Sequence, residues 1–132
     1  MNVNGSLKTA FRTNALFSSM SATFMVVASS WVAYQLGGLS EVWLYAGALA
    51  LLVFAAQLVG LSLMADQKPL FVSYVIVSDW LFVIGVALAI LFYGQTITLT
   101  GHVMLIAVAS VVALLAVWQK RAWVIGARVQ AI

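Results

Sequence analysis

Four long runs of apolar residues, separated by short polar turns, make up most of this chain. The runs extend over residues 13–34, 41–65, 70–93 and 102–118. Each approaches or exceeds the roughly 20 residues that an α-helix needs to cross a ~30 Å hydrocarbon layer. In the turns, Gly37-Gly38 favours a reversal, Ser40 suits a helix N-cap and Pro69 suits the first turn of a new helix. The pattern predicts an all-α, up-down-up-down bundle of four transmembrane helices in one domain.

The two ends of the chain each allow two interpretations. The first run has the position of a signal peptide, but it exceeds the ~7–15 apolar residues of such a segment and ends in Trp31 and Tyr34, which suit a membrane interface. We therefore expect it to be a span. Residues 119–132 fit either a short helix lying on the membrane surface or a continuation of the fourth helix.

The composition indicates that the chain folds in a lipid bilayer rather than in water. Hydrophobic residues make up 65% of the chain and charged residues 7%, whereas a soluble domain has about 25% charged residues. The chain has no cysteine, which excludes thiol chemistry and disulfides. The net charge of +3 comes from few, scattered side chains, so we expect no nucleic-acid partner.

The basic residues predict an orientation. With four spans, all six Lys and Arg side chains fall on one side, and the two opposite turns contain none; the six are Lys8, Arg12, Lys68, Lys120, Arg121 and Arg128. Positive charge close to span ends marks the cytoplasmic face. We therefore expect both termini to lie in the cytoplasm.

Asp79 is the only ionisable carboxylate of the third apolar run and lies about ten residues from its start. A charge near the centre of a bilayer costs roughly 3 kcal/mol on insertion scales. The second and third runs fold around Gln67 and Lys68, so Gln57 and Asp79 are predicted to lie at equal depth. Counting from the span ends places three hydroxyl residues near the same level. The predicted polar layer comprises Ser21, Thr23, Gln57, Asp79 and Ser110.

This layer has two interpretations. In the first, its hydrogen bonds fix which face of each helix points inward, as buried polar groups do in some proteins. In the second, Asp79 binds and releases a proton or cation during transport, because ionisable residues inside membranes are commonly functional. The side chains around Asp79 on its own helix are apolar. A transport path normally has more than one polar step, so we favour the structural role.

Three further residues are candidates for a role. Trp80 lies at mid-depth beside Asp79, either as a packing or lipid-facing residue or as one wall of an apolar ligand pocket. Glu41 and His102 lie at the outer ends of the second and fourth spans and are candidates for a pH-sensitive contact. A single histidine without cysteine is too few ligands for a zinc site, so we expect no metal.

Catalysis is not indicated, because the sequence lacks a nucleophile paired with a base and a glycine-rich phosphate loop. We expect no enzymatic activity and no cofactor. The stretches Arg12–Ser18 (RTNALFS) and Val77–Gly85 (VSDWLFVIG) resemble those of small bacterial four-span inner-membrane proteins without an assigned activity. The resemblance implies an inner-membrane location and no functional residues.

Short loops leave no extramembrane domain, so the expected partners are the lipid bilayer, another membrane protein or a second copy of the chain. The sequence predicts an accessory subunit or a self-associating membrane protein. The alternative is a proton- or cation-coupled transporter or channel, formed by a homo-oligomer around Asp79.

Overall fold

The computed structural model describes residues 5–64 and 67–131, and every regular element in these ranges is a helix. The helices are α1 (Gly5–Val27), α2 (Ser29–Gln35), α3 (Glu41–Ser62), α4 (Pro69–Tyr93) and α5 (Leu99–Ala131). The predicted all-α class is confirmed.

Three helices are each long and apolar enough to cross a membrane: α3, α4 and the part of α5 from Leu99 to Gly126. α1 meets the same criterion only together with α2, and the two are bent by 93° relative to one another. The structure therefore has three candidate spans, or four if the bent pair is one span. This arrangement is compatible with a multi-pass membrane protein.

The first helix differs from the predicted span 13–34. α1 begins at Gly5 and ends at Val27, and α2 then runs across the end of the bundle. Hydrogen bonds hold α2 against the start of α3: Ser30 donates to Glu41 (2.7 Å), and the hydroxyls of Ser29 and Tyr45 lie 3.2 Å apart. Because these contacts join α2 to α3, they favour the bend over a straight continuation.

The last helix also differs from its prediction, since α5 continues without a break from Leu99 to Ala131. Of the two interpretations of residues 119–132, the continued helix is the one observed as far as Ala131. Ala65 at the end of the predicted second span, Ile132, and the side chains of residues 127–131, including Arg128, lie outside the part that the structure describes.

Local signals in the turns act as the sequence indicates. The Ser40 hydroxyl accepts a hydrogen bond from the Val42 amide (3.4 Å) at the N-cap of α3, and Pro69 is the first residue of α4. Gly37 and Gly38 have φ of +84° and +82°, which L-residues with a Cβ rarely adopt.

The helices pack as two pairs. α1 lies along α3, α4 lies along α5, and α1 also contacts α5. α3 and α4 are consecutive, but among the described residues their backbones make little close contact. Near the α3–α4 connection they are joined by a Tyr74–Gln57 hydrogen bond (2.9 Å) and by the edge-to-face pair Phe54–Tyr74.

The end of the bundle that contains Lys8, Arg12, Lys68 and Lys120 is called the cationic end below. There Arg12 donates to the Ser62 hydroxyl over 3.4 Å. A buried apolar cluster, called the cationic-end cluster, fills the interior beside it. Its buried members are Leu7, Phe11, Ala15, Ala55, Leu58, Val72, Val75 and Ala122, with Trp118 and Trp123 packed against them.

The opposite end, called the loop end, is held by the contact between Gln35 and Thr98. The Gln35 carbonyl accepts from the Thr98 amide (3.0 Å) and hydroxyl (3.2 Å). The Thr98 hydroxyl in turn accepts from the Gly101 amide (3.0 Å) in the first turn of α5. A Cβ at Gly101 would overlap the Gln35 carbonyl oxygen, so glycine is what allows this close approach.

We predict that Gly101→Ala destabilises the fold, because the added methyl group meets the Gln35 backbone carbonyl as well as the Ile97 side chain. Overpacking of this kind costs about 1–3 kcal/mol. Gly85→Ala is the matched control, since a Cβ at Gly85 has no atom within 4 Å and alanine favours a helix. Thermal unfolding in detergent, followed by circular dichroism, measures both. Equal melting temperatures for the two variants would contradict the prediction.

Candidate functional site

Three polar side chains from three helices form a closed hydrogen-bonded ring in the interior. Asn14 Nδ2 donates to Asp79 Oδ2 (2.9 Å) and to Gln119 Oε1 (3.1 Å). Gln119 Nε2 donates to the same oxygen of Asp79 (2.7 Å). The exposed fractions are 1% for Asn14, 4% for Asp79 and 0% for Gln119. This Asn14–Asp79–Gln119 ring joins α1, α4 and α5.

Helical spacing accounts for these positions. The buried residues of α4 are Val72, Val75, Asp79 and Val86, which recur at intervals of three, four and seven, so Asp79 lies on the inward stripe of its helix. On α1, Ser18 follows Asn14 by one turn and donates to Asn14 Oδ1 over 3.3 Å. The ring therefore continues along α1 as a short polar stripe.

Two amide N–H groups converge on one oxygen of the carboxylate. A buried carboxyl group that loses water is costly unless it is hydrogen-bonded, and these two bonds offset part of that cost. The second oxygen, Oδ1, receives no hydrogen bond among the residues described.

Of the predicted layer, Asp79 is buried and hydrogen-bonded, whereas Gln57, Thr23 and Ser110 have other hydrogen-bond partners. Gln57 is exposed and accepts from Tyr74. Ser110 and Thr23 are exposed, and each donates to the carbonyl of its own preceding turn, Ile106 and Ser19. These short bonds satisfy the hydroxyls without any contact to a neighbouring helix.

The partners Asn14 and Gln119 were missed because their helices extend further than the apolar runs. The predicted spans began at residue 13 and ended at residue 118, which places both amides at span ends. In the structure α1 begins at Gly5 and α5 continues to Ala131, so both lie well inside a helix. The sequence signal for burial was that apolar residues lie within one helical turn of both Asn14 and Gln119.

The remaining candidates are not brought together. Trp80 is 39% exposed and does not line the chamber described next, which agrees with a packing or lipid-facing residue rather than with the alternative of a pocket wall. Glu41 accepts from Ser30, and His102 Nδ1 lies 2.9 Å from the Thr98 carbonyl oxygen of its own helical turn. Among the described residues no Glu41–His102 contact occurs.

A chamber of about 510 Å³ lies between the hydrogen-bonded ring and α2. All five helices line it, and most of the lining is apolar, with Phe17, Phe54, Phe82, Met104, Leu105 and Val108 among its walls. The polar lining residues are Asn14, Ser18, Ser21, Ser78 and Asp79. Ligand sites typically enclose about 300–1,000 Å³ and combine apolar walls with a few placed polar groups. The chamber has both properties.

The polar groups are concentrated at the base of the chamber. The base is formed by Asn14, Ser18 and Asp79, and the cationic-end cluster lies beyond it. The roof at the loop end is formed by Val32 and Leu36 with Leu44 of α3, part of a second buried apolar cluster. Ser21 is the one other residue of the predicted layer that shares this site with Asp79, as a lining residue rather than a hydrogen-bond partner.

The two glutamines allow a matched test of the ring. We predict that Gln119→Leu lowers the free energy of unfolding by about 1–3 kcal/mol, because it leaves buried groups of Asn14 and Asp79 short of a partner. Gln57→Leu removes the same amide from an exposed position and is expected to cost under ~1 kcal/mol. Denaturant titration in detergent micelles measures both, and a loss at Gln57 as large as that at Gln119 would refute the prediction.

Comparison of the chain with protein-family models, with curated proteins and with solved structures finds no match. No function is therefore transferred from a relative. The residues that carry a functional argument are those of the ring and of the chamber above it.

Proposed function

We propose that this protein is a small membrane-embedded binding protein for a lipophilic molecule, which it holds in the chamber. The observation that carries the proposal is the chamber itself, an apolar space of about 510 Å³ with its polar groups gathered at one end. Packed interiors rarely contain voids much larger than a water molecule. This space is larger than such voids and opens toward the bilayer between α3 and α4, so it has room for a lipophilic molecule.

Entry from the bilayer between α3 and α4 fits this function. The backbones of these helices make little close contact, and the chamber extends between them to Ala50 of α3 and Phe82 of α4, both exposed. The apolar clusters close the two ends. A molecule dissolved in lipid would then reach the chamber sideways without crossing either water interface.

The accessory-subunit and carrier roles expected from the sequence stay predictions. Gly60 and Gly85 would suit a close crossing with another helix, and among the described residues the space beside each is open. This open space is compatible with a partner helix but does not identify one. A binding protein of this kind is also compatible with delivery of its occupant to another membrane protein.

The chamber can be tested by filling it. A diazirine-bearing alkyl probe, photolysed with the full chain in lipid nanodiscs, should label residues of the chamber lining. We predict that Val108→Trp, which places an indole in the chamber, lowers this labelling by about tenfold. Val103→Trp is the matched control, because Val103 lies on the same helix and is 61% exposed. This variant is expected to leave the labelling unchanged.

Mass spectrometry of the labelled peptides gives the readout. Labelling confined to the lipid-facing surface, or an equal loss in both tryptophan variants, would count against a binding chamber. Circular dichroism of each variant establishes that the helices are retained.

We also propose that the cationic end and both termini face the cytoplasm of a bacterial cell, with the protein in the inner membrane. The basic residues at that end support this orientation. Because the chain has no cysteine, single introduced cysteines report sidedness directly. A membrane-impermeant maleimide is expected to label Gln95→Cys in intact cells and Ser6→Cys only after permeabilisation. The reverse pattern would contradict the orientation.

A further inference from the structure

We infer that the occupant of the chamber has a polar end that donates hydrogen bonds, so that it is a long-chain alcohol or amine rather than an anionic lipid. This inference rests on the proposed binding function and adds to it the chemical class of the ligand. The polar groups at the base of the chamber carry it, because the donors of Asn14, Ser18 and Ser78 are already engaged within the protein. Ser21, which lies higher on α1, is the lining residue whose hydroxyl is outside this set.

Asp79 supplies the first free acceptor. Its Oδ2 is occupied by the amides of Asn14 and Gln119, at 2.9 and 2.7 Å. Its Oδ1 receives no hydrogen bond from the described side chains, and the residue lines the chamber while being only 4% exposed. In the ionised carboxyl group Oδ1 is an acceptor, and it keeps some accessible surface, so a ligand donor placed in the chamber would pair with it.

The hydroxyl groups near Asp79 add further acceptors. Ser18 donates its proton to Asn14 Oδ1 (3.3 Å), and Ser78 donates to the Tyr74 carbonyl oxygen (2.7 Å). A serine hydroxyl that has given its one proton to the protein has lone pairs left for a ligand. Both serines line the chamber. The base of the chamber therefore accepts hydrogen bonds more readily than it donates them.

Anionic head groups do not fit this base. No Lys, Arg or His lies among the lining residues that the structure describes, and the one ionisable group there is the carboxyl of Asp79. A phosphate or carboxylate brought to this position would lose its water without gaining a cation. The chamber therefore selects against phospholipids and fatty acids by an unfavourable contact as well as by favouring donors.

The apolar walls determine the length and the apolar character of the rest of the ligand. From Asn14 at the base to Met25 near the roof, the lining of α1 rises by about 16 Å at ~1.5 Å per residue. The polar lining is concentrated toward the base, whereas Met25, Val32 and Leu36 close the roof. The fitting molecule has one polar head at the base and one apolar chain directed toward α2.

The test compares head groups on one chain length. The full protein in nanodiscs is labelled with a diazirine-bearing dodecanol. Unlabelled dodecanol, dodecylamine, dodecane and dodecyl phosphate then compete at equal mole fraction in the membrane. We expect dodecanol and dodecylamine to compete at concentrations about tenfold lower than dodecane or dodecyl phosphate, the factor appropriate to one hydrogen bond to a carboxylate.

Asp79→Asn gives an independent readout. The asparagine carbonyl can still accept from Asn14 and Gln119, while its amide N–H groups replace Oδ1 as donors facing the chamber. We expect this variant to lose the tenfold preference for dodecylamine, whose ammonium group donates but cannot accept, over dodecane. Ser110→Ala is the control, because it removes an exposed hydroxyl that donates to the Ile106 carbonyl oxygen of its own helix. This variant should keep the preference. If Asp79→Asn does not fold, the four-competitor series on the native chain decides alone.

The outcomes separate the two proposals. Equal competition by dodecane and dodecanol, or the strongest competition by dodecyl phosphate, would overturn the head-group inference and leave chamber binding intact. Absence of labelling at any chamber residue would overturn the binding function and this inference with it.

Discussion

The desolvation of one carboxyl group is the constraint on which this fold depends. Asp79 lies in the interior of an apolar bundle, where an unpaired polar group is costly. Asn14 and Gln119 meet that cost from two other helices, and each also bonds to the other. A ring in which every member is bonded to both others ties α1, α4 and α5 in one relative arrangement. Apolar contacts alone would not select that arrangement so strongly, because lipid chains are as apolar as the helix faces they would replace.

The same ring divides the interior into two unlike halves. On its cationic side, large side chains such as Phe11 and Leu58 are fully buried in the cationic-end cluster. On its other side the helices enclose the chamber. The polar residues thus lie at the boundary between a packed region and an open one, where each can contact protein on one side and an occupant on the other. Packing and binding are therefore compatible roles for Asp79.

Much of the fold could be predicted from the apolar pattern, because length and hydrophobicity constrain helices in lipid strongly. Ser40 and Pro69 marked helix starts correctly. The burial of Asp79 also followed from its isolation among apolar residues. Its partners Asn14 and Gln119 could not be predicted in the same way, because apolar runs stop where polar residues begin, whereas α1 and α5 continue through them.

The predicted pairing of Asp79 with Gln57 used depth alone and ignored the rotation of the helix. The buried residues Ala55 and Leu58 place Gln57 on another face of α3. The bend before α2 and the chamber were invisible to periodicity, because both arise from contacts between distant residues.

The uneven joining of the helix pairs has a mechanical consequence. Gln35 and Thr98 fasten the loop end, and the ring fastens the interior where α1 meets α4 and α5. The α3–α4 edge is joined by one exposed hydrogen bond, Tyr74 to Gln57, by one aromatic pair, and by the cationic-end cluster, to which both helices contribute. A swing of the α1–α3 pair away from the α4–α5 pair would widen the part of that edge nearer the loop end, where the chamber opens, while the contacts nearer the cationic end hold. The structure is therefore rigid where the ring joins α1, α4 and α5, and weakly joined between α3 and α4 where the chamber opens.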